Sequence, residues 1–147
     1  MKVKSTLAIA AIATLVMSAG VLAAGGHAEK RESLMKQNGA AMGLISKMAK
    51  GEVPFDAEKV KTALQTFSDV GKAFPAEFPV GSENDTKTAS PKIWENMDDF
   101  KAKSAKLSAD AEAALAALPM DVAALGPVVG IIGGNCGACH KEYKLKE

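Results

Sequence analysis

Cys136-Gly137-Ala138-Cys139-His140, seven residues before the end of the chain, constrains this sequence more than any other stretch. C-x-x-C-H is the attachment spacing for c-type haem, in which two thiols form thioethers to a porphyrin edge and the histidine ligates iron from one side. Such chemistry asks for a helix. On one, Cys136 and Cys139 are i and i+3 and His140 is i+4 from Cys136, so all three side chains reach one edge and one face of a planar group. Other uses of the thiols compete. A redox dithiol usually sits in a βαβ setting, and no strand pattern is found here. A zinc site lacks its second half, because the chain has two cysteines in all and its only other histidine is His27. A plain disulfide leaves His140 without a role.

The N-terminus reads as an export signal. Met1-Lys2-Val3-Lys4 is a basic start, Leu7 to Met17 an apolar core, and small residues follow. Together they predict a secretory signal over residues 1–23, cut after Ala23 or Ala24. The apolar core is short for a membrane span and no stop-transfer charges follow it, so the mature domain, residues 24–147, is expected not to span a membrane. Haem is joined to C-x-x-C-H outside the cytoplasm, so signal and motif support each other and the periplasm is the expected location. Loss of Lys2 and Lys4 takes the 18 basic residues to 16, against 17 acidic ones. A near-neutral domain without a basic run argues against nucleic acid as a partner.

Few aromatics and much Ala, Lys and Glu suit helices better than sheets. Leu34, Met35, Ala41, Met42, Ile45, Met48 and Ala49, with Asn38 on the same stripe, predict a helix from about Ala28 to Lys50 that Gly51 and Pro54 end. Asp56 caps a second, in which Ala57, Val60, Ala63, Leu64, Phe67, Val70 and Phe74 keep the period until Pro75. Residues 75–89 are aperiodic and rich in Pro, Gly, Ser and Asn, a long crossover within one domain. Ser90-Pro91 starts a third helix, where Ile93, Met97, Phe100, Ser104, Leu107, Ala111, Leu115 and Leu118 alternate in steps of four and three. Ser104 and Ala111 on that seam are small enough to admit a neighbour. Asp121 caps a fourth helix through Tyr143, with a kink or restart expected at Gly126-Pro127. Gly130, Gly133, Gly134 and Gly137 predict either a flat group against this backbone or a frayed segment, and Gly39 and Gly43 predict a close approach to the first helix. The expected fold is all-α, an antiparallel four-helix bundle with haem attached near its C-terminus.

His140 supplies one axial ligand, so function turns on the opposite side of the iron. The candidates are His27, expected in a disordered N-terminal tail, and the thioethers of Met35, Met42, Met48, Met97 and Met120. A Met on an apolar helical stripe also serves as core filling, and spacing does not choose between Met35 and Met42.

The pattern as a whole resembles the class II c-type cytochromes, that is, cytochrome c′ and its low-spin relatives of the c-556 type. The likeness rests on Leu34-Met35-Lys36-Gln37-Asn38-Gly39, Ala49-Lys50-Gly51-Glu52, Pro54-Phe55-Asp56, Ser90-Pro91-Lys92-Ile93-Trp94 with Phe100, and Cys136 to His140 with Tyr143-Lys144. It implies one covalently bound haem c, His140 as proximal iron ligand, Met35 as distal ligand in the manner of the low-spin branch, and Arg31 near a haem propionate. Lys144 stands where cytochrome c′ commonly has Arg, and lacks its planar fork. Trp94 and Phe100 either wall the haem or fill the core. The resemblance also implies a homodimer through the first two helices, although no Ala-rich face announces a shared surface.

Three functions are then open. A His/Met-ligated low-spin haem carries single electrons to transient redox partner proteins, a non-enzymatic role. A five-coordinate haem of the cytochrome c′ kind binds NO or CO in an apolar distal pocket. A peroxidase needs a distal acid/base group, and no internal His is left to provide one. The first is the expected function.

Overall fold

The computed structural model describes residues 21–146. The expected signal lies, but for its last three residues, outside them. Four helices form the body: α1 (Val21–Ala49), α2 (Ala57–Ala73), and, after the short α3 (Lys92–Glu95), α4 (Met97–Ala116) and α5 (Val122–Tyr143). Among the described residues their contacts run in a ring, α1 on α2, α2 on α4, α4 on α5 and α5 on α1, with no diagonal pair of helices adjacent. Pairing is antiparallel throughout. Ser68 meets Ser108 and Glu112 while Gly71 meets Ser104, and on the other side Met42 of α1 meets Gly133 of α5. This is the expected four-helix bundle.

Local chemistry sets most of the boundaries. Gly51 takes a positive φ of 72°, which lets its N–H bond to Met48 O and that of Glu52 to Lys47 O, at 3.0 and 2.9 Å, closing α1 in a Schellman turn. Asp56 and Asp121 cap α2 and α5 by accepting from Lys59 N at 3.1 Å and Ala124 N at 2.8 Å. After α2 the chain tightens into a 3-10 turn, Phe74–Glu77, with Pro75 inside it.

Three expectations needed correction. The first helix is already present at Val21, the first described residue, rather than starting near Ala28, and His27 belongs to it, its Nδ1 2.6 Å from Glu77 Oε2. The third helix is not continuous: it breaks at Asn96, whose backbone leaves helical geometry (φ −130°, ψ 47°) while its amide turns back on Lys92 O at 3.4 Å. Asn competes in this way for backbone partners. The seam survives the break, since Ile93, Phe100, Ser104 and Ala111 are all buried. Helix α5, by contrast, runs unbroken through Pro127 and its glycines.

The interior divides along the bundle. Toward one end Ile45, Met48, Val60, Leu64, Ala111, Leu125 and Ile132 form a closed, mainly aliphatic core with Phe67 as its one buried aromatic ring. Toward the other, Phe78, Ile93, Phe100 and Tyr143 pack with Phe74 and Trp94, edge to face, as aromatic quadrupoles prefer (Phe78 to Phe100 4.8 Å, Phe100 to Tyr143 5.3 Å). The chain termini of α5 and the crossover are tied there, Ser90 N bonding to Tyr143 O and Leu145 N to Thr88 O, both at 2.9 Å.

Candidate functional site

At the aromatic end a cavity of about 840 Å³ opens between α1, α4, α5 and residues 85–89, a size suited to a cofactor. Cys136, Cys139 and His140 line it from α5, and Arg31, Met35, Asn38, Gly39 and Met42 from α1. Phe74, Phe78, Phe100 and Tyr143 supply its apolar wall. The unbroken helix puts the three motif side chains on one flank, as the i, i+3, i+4 spacing demands. Both cysteines are half-buried and not linked to each other. Among the described residues no three His, Cys, Asp or Glu side chains converge as a metal-ligand cluster.

Burial pushes the Cys136 and Cys139 thiols above their usual range. Burial, helped by the Lys144 charge, pulls the His140 imidazole below its ordinary value. The neutral imidazole, the form that ligates metal, is therefore the favoured one at neutral pH.

The candidates for the opposite side separate by position. Met35 and Met42 line the cavity. Met48 is 1 % exposed inside the aliphatic core, Met120 is 70 % exposed, and His27 is engaged with Glu77. Met42 Cε lies 3.3 Å from where a β-carbon on Gly133 would stand. Seven residues back along α1, about 10 Å at a helical rise, is Met35. Seven residues forward along the antiparallel α5 is His140. Met35 is thus level with His140, and Met42 with Gly133.

Arg31 is 4 % exposed and faces the same cavity. Its Nε donates to Glu77 O at 2.7 Å, Nη1 to Ser82 O at 3.2 Å, and Nη2 to Ser82 Oγ. Its guanidinium lies 4.1 Å from the Phe78 ring centroid, a cation–π contact. Desolvation lowers its pKa, opposed by the charges of Asp85, Glu77 and Glu83. Three of its five N–H groups are used, which leaves two for a further acceptor. Trp94 does not line the cavity and donates Nε1 to Pro79 O at 3.0 Å, whereas Phe100 is both core and wall. At Gly39, Gly43 and Gly137 no neighbouring protein group lies within 4 Å of a would-be β-carbon, so no other helix makes the close approach, and of the three Gly39 borders the cavity.

Sequence reasoning missed Asp85 and Thr86, which an aperiodic polar loop gave no signal to single out. Among the described residues, the buried side-chain polar atoms left without a hydrogen-bond partner are Asn38 Oδ1, Asp85 Oδ2 and Thr86 Oγ1. All three residues line this cavity. Buried polar atoms are almost always paired, so the wall is shaped for a group with polar substituents as well as an apolar body.

Residues 27–144 match the protein family described as Cytochrome C′. The chain belongs to the cytochrome c′ family. It is 52 % identical over 131 residues to a cytochrome c-556 of Agrobacterium fabrum, covering 89 % of each chain. It is 38 % identical over 144 residues to a cytochrome c′ of Rhodopseudomonas palustris, covering 96 % of this chain and 98 % of that one. A solved cytochrome c′ structure from the same organism superposes with a TM-score of 0.77 at 37 % identity, covering 82 % of this chain and 97 % of that one. As a member of this family the protein is a c-type cytochrome with a covalently attached haem c. The cavity fits that group: two thiols and an imidazole on one helical flank, an aromatic wall, and unpaired polar atoms with a buried Arg.

Proposed function

We propose that this cytochrome c′ family member is a periplasmic carrier of single electrons, with haem attached at Cys136 and Cys139 and its iron held by His140 and Met35. The observation that supports the reading is the register of α1 on α5, which levels Met35 with His140 and leaves Met42 at Gly133. When bound, the haem supplies a one-electron Fe(III)/Fe(II) couple. The protein's own part is positional. Cys136 and Cys139 fix the group to α5, and His140 presents a neutral imidazole from one side. Met35 would supply a thioether from α1, a ligand that raises the potential relative to two histidines and would compete with a gas for the iron. Packing of the rings of Phe74, Phe78, Phe100 and Tyr143 excludes water and limits rearrangement on electron transfer. Arg31, with two free N–H groups, and Thr86, with a free hydroxyl, are placed to receive carboxylates such as haem propionates.

Met35→Ala in the haem-loaded protein tests this. The variant is expected to turn from low-spin to high-spin and to gain CO binding. If it stays low-spin, Met35 is not the ligand and Met42 is the next to substitute; if the unaltered protein is already high-spin and binds CO, the gas-binding function replaces the electron carrier.

A further inference from the structure

Asp85 lines the cavity from the crossover, and among the described residues no hydrogen-bond donor reaches its buried Oδ2. The turn that carries it is tied to Arg31. Asp85 N donates to Ser82 O at 3.3 Å, and Ser82 accepts from both terminal nitrogens of Arg31. Desolvation lowers the Arg31 pKa and the Asp85 charge is foremost in opposing it, yet the bonds of Arg31 go to Glu77 and Ser82. The Thr86 hydroxyl is likewise unspent. One wall thus sets two free N–H groups and a hydroxyl near a carboxylate oxygen that can only accept. A carboxylate entering the cavity satisfies those donors and repels Asp85. A carboxylic acid answers both, its carbonyl oxygen accepting from Arg31 or Thr86 while its hydroxyl donates to Asp85. Haem brings its polar groups as propionates, so the acid is a propionate.

The other charged groups around the cavity are paired or exposed. Lys36 of α1 binds Glu32 at 2.7 Å, Lys103 of α4 binds Asp99 at 2.8 Å, and Tyr143 of α5 gives its hydroxyl to that same Asp99. Glu83 accepts from Gly81 N at 3.1 Å, and His27 is bound to Glu77. Glu29, Lys87 and Lys144 are exposed, and His140 is assigned to the iron. Two carboxylates brought together in one buried site do not both stay ionised without cost, so a proton is shared between them.

We propose that Asp85 shares one proton with the haem propionate seated at Arg31, and that reduction of the iron draws this proton in from solvent. Ferric iron carries one more positive charge than ferrous iron, so it favours the ionised pair and ferrous iron the protonated one. One electron enters the iron and one proton forms an O–H bond within the pair; reoxidation releases both. A proton bound more tightly in the ferrous form makes the potential fall as pH rises. Asp85 thereby couples proton uptake to electron transfer.

The seat of the propionate at Arg31 and Thr86 is part of the proposed function, and the experiment keeps the two apart. The midpoint potential of haem-loaded protein is measured against pH. In the unaltered protein it is expected to fall with rising pH between the apparent pKa of the pair in the ferric form and that in the ferrous form, and to be level on either side. Asp85→Asn fills the same volume without sharing the proton, and is expected to abolish that fall. Redox-difference infrared spectra are expected to show a protonated-carboxyl C=O band appearing on reduction, lost in Asp85→Asn. Asp85→Ala serves both comparisons if the asparagine variant does not fold. A level potential in the unaltered protein overturns the proposal, as does a fall or a carboxyl band that Asp85→Asn leaves unmoved. A fall that disappears with His27→Gln instead also overturns it. Thr86→Val tests the seat. If it shifts the potential while Asp85→Asn leaves the pH profile unchanged, the seat stands and Asp85 is overturned; if it changes nothing while Asp85→Asn abolishes the fall, the Thr86 contact fails and Asp85 stands.

Discussion

Tyr143 ties α5 to the rest of the aromatic end. Its ring is 4 % exposed and stands edge-on to Phe100, its hydroxyl donates to Asp99, and its carbonyl accepts from Ser90 N. Burial first, and the Asp99 bond second, push its pKa from an ordinary 10 up to about 12. The Asp99 carboxyl is held below its usual range by Lys103 and by the same tyrosine. Between pH 10 and 12 the folded chain keeps a proton that the unfolded chain has released. The stability Tyr143 contributes is thus complete below pH 10 and lost as pH rises toward 12. This is the only tyrosine of the protein, so the ultraviolet tyrosinate band reads it alone. The expected outcome is a titration midpoint near 12 in the folded protein; a midpoint near 10 means that the ring is neither buried nor bonded to Asp99 as described. At this scale the sequence showed Cys136, Cys139 and His140 by their spacing. It could not show the partners of Arg31, because Glu77 and Ser82 are 46 and 51 residues away along the chain, joined to it only by the folding of the crossover.

Helix pairing is set by small residues, and not always by those that look placed for it. A β-carbon on Gly71 would lie 2.9 Å from Ser104 O and 3.0 Å from Ser108 Cβ, so α2 and α4 touch backbone to backbone there. Gly43 is exposed with nothing within 4 Å. Gly71→Ala is expected to destabilise the protein by about 1–3 kcal/mol by overpacking, and Gly43→Ala to stabilise it by about 0.5–1 kcal/mol through helix propensity. Chemical denaturation checks both; equal effects would mean that the α2–α4 approach is looser than described. Periodicity made the faces of all four long helices legible, including Ser104 and Ala111 as small seam residues. It did not expose Gly71, since within one helix a glycine that fits a neighbour looks the same as one that merely weakens the helix. Nor did it show the break at Asn96, because an Asn between Trp94 and Met97 leaves the four-and-three rhythm intact while its amide unwinds one turn.

Across the molecule, the aliphatic end holds the bundle together and the aromatic end holds the cavity, so the protein separates stability from function along its long axis. Helix α5 joins the two. Leu125 and Ile132 anchor it in the core, and His140 stands at the cavity. It is long and apolar enough by composition to cross a membrane, yet it carries the haem motif and packs on α1 and α4. The bundle was legible from caps, breakers and stripes, each a local signal. Spacing alone left Met35 and Met42 equivalent, because what separates them is how α1 registers against α5, a contact between residues about ninety apart in sequence. One measurement tests that register and the function built on it most directly: the absorption spectrum of the ferric and ferrous haem-loaded protein, before and after CO. Ligation by His140 and Met35 predicts a red thioether-to-iron charge-transfer band in the ferric form, sharp split bands in the ferrous form, and no change with CO. A broad high-spin spectrum that shifts at once with CO would contradict it.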